Sequence, residues 1–220
     1  MAYDLSSTVV AYNSNYGTVS VRVFNYAASI WSLLKAIVGN EYGVAGIMGN
    51  WQVESYNCPF CKQGDTPPTQ ISVDYSNSID NGTITKNEFV TNKLGYSLAQ
   101  WTYPTRKSAY WDFWKASGIS QVGDVNVAVG FALSELQGGY RSTLTTCQTA
   151  TSIKHASDFV LHNYEQPADQ SASQENLRAA YGEYYYSIFA GTEPPTPIKP
   201  IKKEFKQLFY LRNAYFKTFS

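Results

Sequence analysis

Histidine occurs twice in 220 residues, methionine twice and cysteine three times. That scarcity removes most metal and thiol chemistry. There is no HExxH pair of helical zinc ligands, and Cys147, His155 and His162 lie far in sequence from Cys58 and Cys61. No cofactor and no metal is expected. Charged residues make up only 15% of the chain and cancel, 17 basic against 17 acidic. The balance hides an asymmetry: from Lys199 onward there are six Lys/Arg and one acid, leaving eleven bases and sixteen acids before it. A body with an acidic excess lacks the basic face that phosphate neutralisation needs, so nucleic acid is not an expected partner. No apolar run reaches the length of a membrane span, and MAYDLSSTVV lacks the basic and apolar regions of a signal peptide. The chain is therefore expected to be made in a cytoplasm and delivered by other means.

Aromatic residues are plentiful. Eighteen tyrosines and five tryptophans, in a chain that is 44% hydrophobic, allow one substantial core. Rings in this number either line a carbohydrate groove, where sugar C–H faces stack on them, or simply fill a tyrosine-rich core and surface. Hydrophobic periodicity predicts helices over 21–38, 41–55, 104–116, 125–137, 152–162 and 174–188. Gly39 and Asn40 end the first, Thr102 is the expected cap of the third, and Gly138-Gly139 end the fourth. Residues 56–94 lose the helical period and gain Pro, Asn, Asp and Gly. Within them Ile79-Asp80-Asn81-Gly82-Thr83-Ile84 reads as a β-hairpin on a type I′ turn. The expected fold class is α+β, mostly helical, with a small β-hairpin insertion. Residues 1–20 form an irregular lead or a short strand, 21–190 the body, and 191–220 a separate end.

Glu54 is the residue with most to say about chemistry. Val44, Ile47, Met48 and Trp51 recur at the spacing of one buried helical face, and the next step along that face lands on Glu54. A carboxyl group at the inner end of a buried stripe is desolvated, which raises its pKa and suits a general acid working near neutral pH. Glycoside hydrolysis is the commonest chemistry with that requirement. The alternative is a helix-end glutamate that turns out to solvent.

Three segments bear on that choice. Ala45-Gly46-Ile47-Met48-Gly49-Asn50 before the Glu54-Ser55 pair, Gly95-Tyr96-Ser97-Leu98-Ala99-Gln100-Trp101-Thr102, and Asn163-Tyr164-Glu165-Gln166-Pro167-Ala168-Asp169-Gln170-Ser171 occur in the order and spacing of one family. Over roughly residues 21–190 the chain resembles the lysozyme-like domains of phage tail lysozymes and phage endolysins, distant relatives of goose-type lysozymes and soluble lytic transglycosylases. The resemblance implies a lysozyme-like fold and cleavage of the β-1,4 bond between N-acetylmuramic acid and N-acetylglucosamine. Bacterial peptidoglycan would be the partner, in wall penetration or host lysis, from a virion tail or after release to the wall. It implies Glu54 as the catalytic acid, with the Gln100 segment lining the sugar cleft.

A second carboxylate, if one is used, is sought in the predicted insertion. Asp74 and Asp80 are the candidates, with Asp65 upstream. Asp80 also matches a recurrent Asp-(Ser/Asn)-Gly turn in similar domains, so turn chemistry explains it equally. Lytic transglycosylases need no second carboxylate, since the 6-hydroxyl of the sugar displaces the bond, and the sequence does not choose between the two routes. Gln100 is expected on substrate hydroxyls or an amide. Tyr96 is expected to face sugar, and Trp101 either faces sugar or packs beneath the cleft. Glu165 reads as a buried or capping structural acid. Cys58-Pro59-Phe60-Cys61 lacks the strand–helix context of a redox motif and departs from the family pattern; a local disulfide is the favoured reading and free thiols the other.

Beyond 190, Glu193-Pro194-Pro195-Thr196-Pro197-Ile198-Lys199-Pro200 is a stiff linker by composition. Phe205, Leu208, Phe209, Arg212 and Phe216 then space out a basic amphipathic helix. It either folds back on the acidic body or attaches the enzyme to other virion tail proteins or an envelope surface. A non-catalytic wall-binding or tail-structural module remains the competing function. An amidase or peptidase is disfavoured by the missing HExxH and the lack of a recognisable Cys–His pair.

Overall fold

The computed structural model describes residues 9–13, 17–21 and 26–191 of the chain. The proline linker and the basic amphipathic segment lie outside these residues. Two short antiparallel strands, β1 (Val9–Asn13) and β2 (Gly17–Val21), pair with Val9 opposite Val21 and Asn13 opposite Gly17. The body is helical: α1 (Tyr26–Val38), α2 (Glu41–Ser55), α3 (Gln70–Asp80), α4 (Lys86–Thr91), α5 (Pro104–Ser117), α6 (Val125–Gln137), α7 (Arg141–Gln148), α8 (Ile153–Val160), a π-helical turn (Leu161–Glu165) and α9 (Ala172–Phe189). None of the described helices is long and apolar enough to cross a membrane.

Helix α2 is the axis of the domain. Asn40 starts it, its Oδ1 accepting from the Tyr42 and Gly43 amides at 2.9 and 3.4 Å. From Gly43 to Gln52 every residue is buried, so the helix is enclosed all round rather than amphipathic. What permits this is glycine on three sides. An added Cβ at Gly43 would lie 2.1 Å from the Cys147 carbonyl oxygen of α7, at Gly46 2.7 Å from Ala156 Cβ of α8, and at Gly49 2.2 Å from the Arg178 carbonyl oxygen of α9. The predicted stripe of Val44, Ile47, Met48 and Trp51 is buried, but so are the other faces.

The second enclosed helix is α6, started by Asp124, whose Oδ1 accepts the Asn126 amide at 2.7 Å. Its Phe131 packs into an aromatic core with Trp101 and Tyr110, ring centroids 5.0–5.3 Å apart. Phe89 of α4 extends this core, 5.6 Å from Tyr96. Much of the aromatic excess is thus spent inside the protein.

The segment 56–94 corrects the sequence reading. Residues 79–84 form no hairpin. Asp80 ends α3, and Asn81-Gly82 turns the chain from that helix toward α4. Asn81 Oδ1 accepts the Thr83 amide at 2.9 Å and Gly82 takes φ +82°, so the dipeptide makes its tight turn between helices, not strands. Helix α4 opens on a capping box between Thr85 and Glu88. Thr102 does not cap α5; its hydroxyl donates to the Gln100 carbonyl at 2.9 Å.

Lys107 of α5 is buried, and among the described residues no carboxylate pairs with its ammonium. Nζ donates to Asn92 Oδ1 at 2.6 Å and the Leu94 carbonyl at 2.7 Å, and lies 4.5 Å from the Phe89 ring centroid. Burial pushes its pKa down to about 8 from 10.5. Between those values the unfolded chain binds a proton that the folded chain does not, so folding stability rises with pH across that window and is flat below it. The expected result is a wild-type melting temperature that climbs from about pH 8 to 10.5 relative to Lys107→Met. Parallel melting curves for the two proteins across that range would contradict it.

Candidate active site

The last turn of α2 leaves the enclosed core and presents Glu54 at the surface of the body, its side chain 19% exposed. Ser55, the other half of the pair, back-bonds to the Trp51 carbonyl at 3.0 Å and is buried. The chain then turns through two successive left-handed residues, Tyr56 (φ +59°) and Asn57 (φ +53°). Such a conformation costs a non-glycine residue free energy and needs outside support. Asn57 supplies it, Nδ2 donating to the Met48 carbonyl at 3.0 Å.

Arg178 of α9 holds Glu54. Nη2 donates to Glu54 Oε1 at 2.7 Å and Nη1 to Asn50 Oδ1 at 3.3 Å, with the arginine itself 2% exposed. Asn50 is in turn fixed by Nδ2 donating to the Ser157 carbonyl at 3.0 Å. Glu54 is therefore oriented from behind by a buried guanidinium, an arrangement that spacing along α2 did not reveal.

Glu165, at the end of the π-helical turn, joins the same place. The indole of Trp51, one turn before Glu54, donates to Glu165 Oε1 at 3.0 Å. Burial, and then the neighbouring Glu54 carboxylate, push the Glu165 carboxyl well above the ordinary range, against the pull of Arg106, Arg178 and the Trp51 N–H. The turn is pinned to α9 by His162, whose Nε2 meets Glu175 Oε1 at 2.8 Å.

Tyr164, next to Glu165 in the turn, reaches a polar cluster around Glu135 of α6, a residue that the sequence pattern had not singled out. Arg106 grips it with Nε at 2.8 Å and Nη2 at 2.7 Å, while Trp101 Nε1 and the Tyr164 hydroxyl donate to Oε2 at 2.9 and 2.8 Å. Arg106 lies 5.3 and 5.0 Å from the Tyr140 and Tyr164 ring centroids. Breaking a buried pair of this kind by removing one partner costs about 3–5 kcal/mol. Glu135→Ala is expected to lower stability by about that amount in denaturant unfolding. A loss within a few tenths of wild type would mean that the cluster relaxes freely.

The Gln100 segment is laced to the loop after α2. Tyr96 pairs with Trp101 and with Lys62, the Ser97 amide donates to the Cys61 carbonyl at 2.8 Å, and Ser97 Oγ donates to the Pro59 carbonyl at 2.7 Å. Gln100, itself left-handed at φ +44°, donates from Nε2 to the Cys61 and Ser97 carbonyls at 3.2 and 2.9 Å. Those bonds occupy its amide protons, while the residue stays partly exposed.

The other candidates have partners of their own. Tyr96 does not face outward: it is 1% exposed and its hydroxyl shares a 2.7 Å hydrogen bond with Ser76. Trp101 takes the packed alternative, also 1% exposed, with its indole on Glu135. Asp74 is on the exposed side of α3, accepting from Gln70 Nε2 at 2.8 Å. Asp80 accepts the Val122 amide at 2.7 Å and so ties the end of α3 to the approach to α6. Asp65 accepts from the amides and hydroxyls of Thr69 and Ser72 at 2.6–2.9 Å. Burial would raise its pKa, but those bonds hold it below the usual carboxylate range. Cys58 and Cys61 form no disulfide; both are buried free thiols, and burial pushes Cys61 up to about 12.

The sequence pattern of the Phage tail lysozyme family matches residues 25–189, which takes in every element from α1 to α9 and all of the groups above. No curated protein is similar to the chain at a significant level.

Proposed function

The chain belongs to the phage tail lysozyme family, and from that premise we propose that it cleaves the β-1,4 bond between N-acetylmuramic acid and N-acetylglucosamine with Glu54 as general acid. The family implies a muralytic role, degradation of peptidoglycan, at a virion tail or the cell wall. The observation that carries the finer reading is the setting of Glu54: an accessible carboxyl at the end of an enclosed helix, oriented by buried Arg178. A proton donor must be fixed in direction and reachable by the leaving oxygen, and a positioned acid contributes about 10²–10⁴ in rate. Gln100 shapes the neighbouring loop through its backbone bonds rather than by offering free amide protons. Wall penetration from a tail, or lysis after release, would use the same step.

A second route has its own support. Asp65 and Asp80 are engaged in holding backbone, and Asp74 is bonded along its own helix. With these carboxylates so engaged, the cyclising reaction of lytic transglycosylases is the alternative, in which the 6-hydroxyl of the sugar attacks. Purified peptidoglycan digested by the full chain distinguishes the outcomes by mass spectrometry. Reducing ends support hydrolysis and anhydro ends the cyclising route. Free amino groups, or binding with nothing released, would overturn the glycosidase reading in favour of a peptidase or a wall-binding module.

A further inference from the structure

The π-helical turn after α8 carries a histidine with an acceptor on each ring nitrogen. His162 Nε2 lies 2.8 Å from Glu175 Oε1 on α9, and Nδ1 lies 2.7 Å from Gln170 Oε1 in the loop that leads into that helix. The other end of the Gln170 amide fixes its orientation, since Nε2 donates to the Pro167 carbonyl at 3.0 Å. Oε1 is therefore the atom that faces the ring. A carboxylate oxygen on one nitrogen and an amide oxygen on the other are both satisfied only by a ring that donates twice. Neutral imidazole has a single N–H and would set a lone pair against one of the two oxygens.

The surrounding charges point the same way. Asp158 and Lys154 on α8 and Glu175 on α9 are the charged groups around the ring, with Lys154 Nζ 2.8 Å from Asp158 Oδ2 and 3.4 Å from Glu175 Oε2. Two acids and one lysine are balanced only by the imidazolium. The bonds to Glu175 and then Gln170 hold the His162 pKa above its ordinary 6.5, against a smaller loss from desolvation. The elements so joined both reach Glu54. The turn of His162 ends at Glu165, which accepts the Trp51 indole N–H at 3.0 Å, one helical turn before Glu54. Glu175 stands about one turn before Arg178, whose Nη2 donates to Glu54 Oε1 at 2.7 Å.

We propose that His162 is a positioning residue that works as the imidazolium, clasping the π-helical turn and its loop to α9 and so steadying the two elements that reach Glu54. Its effect on cleavage rests on the glycosidase reading of Glu54. Because the pKa is raised in the folded chain, the clasp is at full strength below 6.5 and is lost as pH rises through the raised midpoint. With the side chain 38% exposed, the effect is one of turn opening and rate rather than of global melting.

The test joins two measurements that need no turnover to one that does, all on the full chain. Only two histidines are present, so the ring signals in ¹H–¹⁵N spectra are assigned by the set lost in His162→Gln. The His162 midpoint is expected above 6.5, and Glu175→Gln is expected to lower it toward that value. The Gln166 amide closes the turn on the Leu161 carbonyl at 2.9 Å. Its hydrogen-exchange protection, with the intrinsic pH dependence divided out, is expected to fall several-fold as wild type passes the midpoint. In His162→Gln it is expected to be low and independent of pH. In wall cleavage, the ratio of the wild-type rate to that of His162→Gln is expected to be greatest below the midpoint and to approach one above it. A midpoint at or below 6.5, or Gln166 protection unchanged through it, would overturn the proposal. So would a rate ratio that is the same at every pH, the signature of a merely structural role. Wild type that releases no fragments would contradict the glycosidase reading instead, and titration and exchange still decide the clasp.

Discussion

Glu54→Gln is expected to reduce cleavage of purified peptidoglycan by about 10²–10⁴ while leaving the protein folded and wall binding close to wild type. The glutamine amide keeps the shape and can still accept from Arg178 Nη2, which now lies 2.7 Å from Glu54 Oε1. What disappears is the proton. Some stability is expected to be lost, because buried Arg178 no longer faces a full negative charge, but the amide oxygen still accepts its N–H and the fold is kept. Zymography together with release of soluble fragments measures the loss, and activity within a few-fold of wild type would remove Glu54 from the chemistry. Asp74→Asn and Asp80→Asn serve as comparisons. Asp74→Asn should leave the rate unchanged, and Asp80→Asn should act through stability, since its carboxylate holds the Val122 amide.

Gly49→Ala is expected to damage stability and activity together. The new Cβ would meet the Arg178 carbonyl oxygen at 2.2 Å and the Gly182 amide nitrogen at 2.6 Å. Both are backbone atoms on α9, so no side chain can swing aside. Relief requires the two helices to separate, and α9 carries the arginine that orients Glu54. Overpacking of this kind costs about 1–3 kcal/mol and occasionally more. For a domain of this size about 3 kcal/mol corresponds to roughly 6–12 °C in melting temperature. The same displacement should lower wall cleavage beyond what the lost stability explains, even well below the melting temperature. Gly64→Ala is the contrasting control: nothing lies within 4 Å of its added Cβ, and only the positive φ of 83° is strained. A Gly49→Ala protein that melts with wild type would show that the α2–α9 contact yields readily.

Parts of this architecture are plain in the sequence because local chemistry and tertiary role coincide there. Helix α6 runs from Val125 to Gln137 as its apolar period and the following glycines predict. The first helix ends where Gly39 takes φ +73°. Other parts are hidden for identifiable reasons. Helix α3 buries Ser72 and Ser76 beside Val73 and Ile79, so half of its inward face reads as polar. Helix α7 does the same with Thr143. Asn81-Gly82 announces a tight turn but says nothing about what the turn joins.

The site was legible in one of its members and not in the partners that define it. Glu54 stands out as an acid ending a buried run. Its guanidinium partner lies 124 residues away in an alanine- and tyrosine-rich helix. Glu135 carried the same signal as Glu54, a carboxylate between Leu133 and Leu136 in an apolar helix, and could have been found by the same argument. Tyr96 misled, and Trp101 stayed open between two readings, because aromatic rings near a cleft motif suit sugar and core equally. Only their distant partners, Ser76 for one and Glu135 for the other, assign them to the interior.

The most direct test of the central claim is a crystal structure of full-length Glu54→Gln with an intact peptidoglycan glycan oligomer. The account predicts the strand lying across the end of α2, with a β-1,4 glycosidic oxygen within about 2.6–3.2 Å of the side chain at position 54. A strand bound away from that side chain, or an oligomer held only by its stem peptide with no glycosidic oxygen in reach, would contradict it.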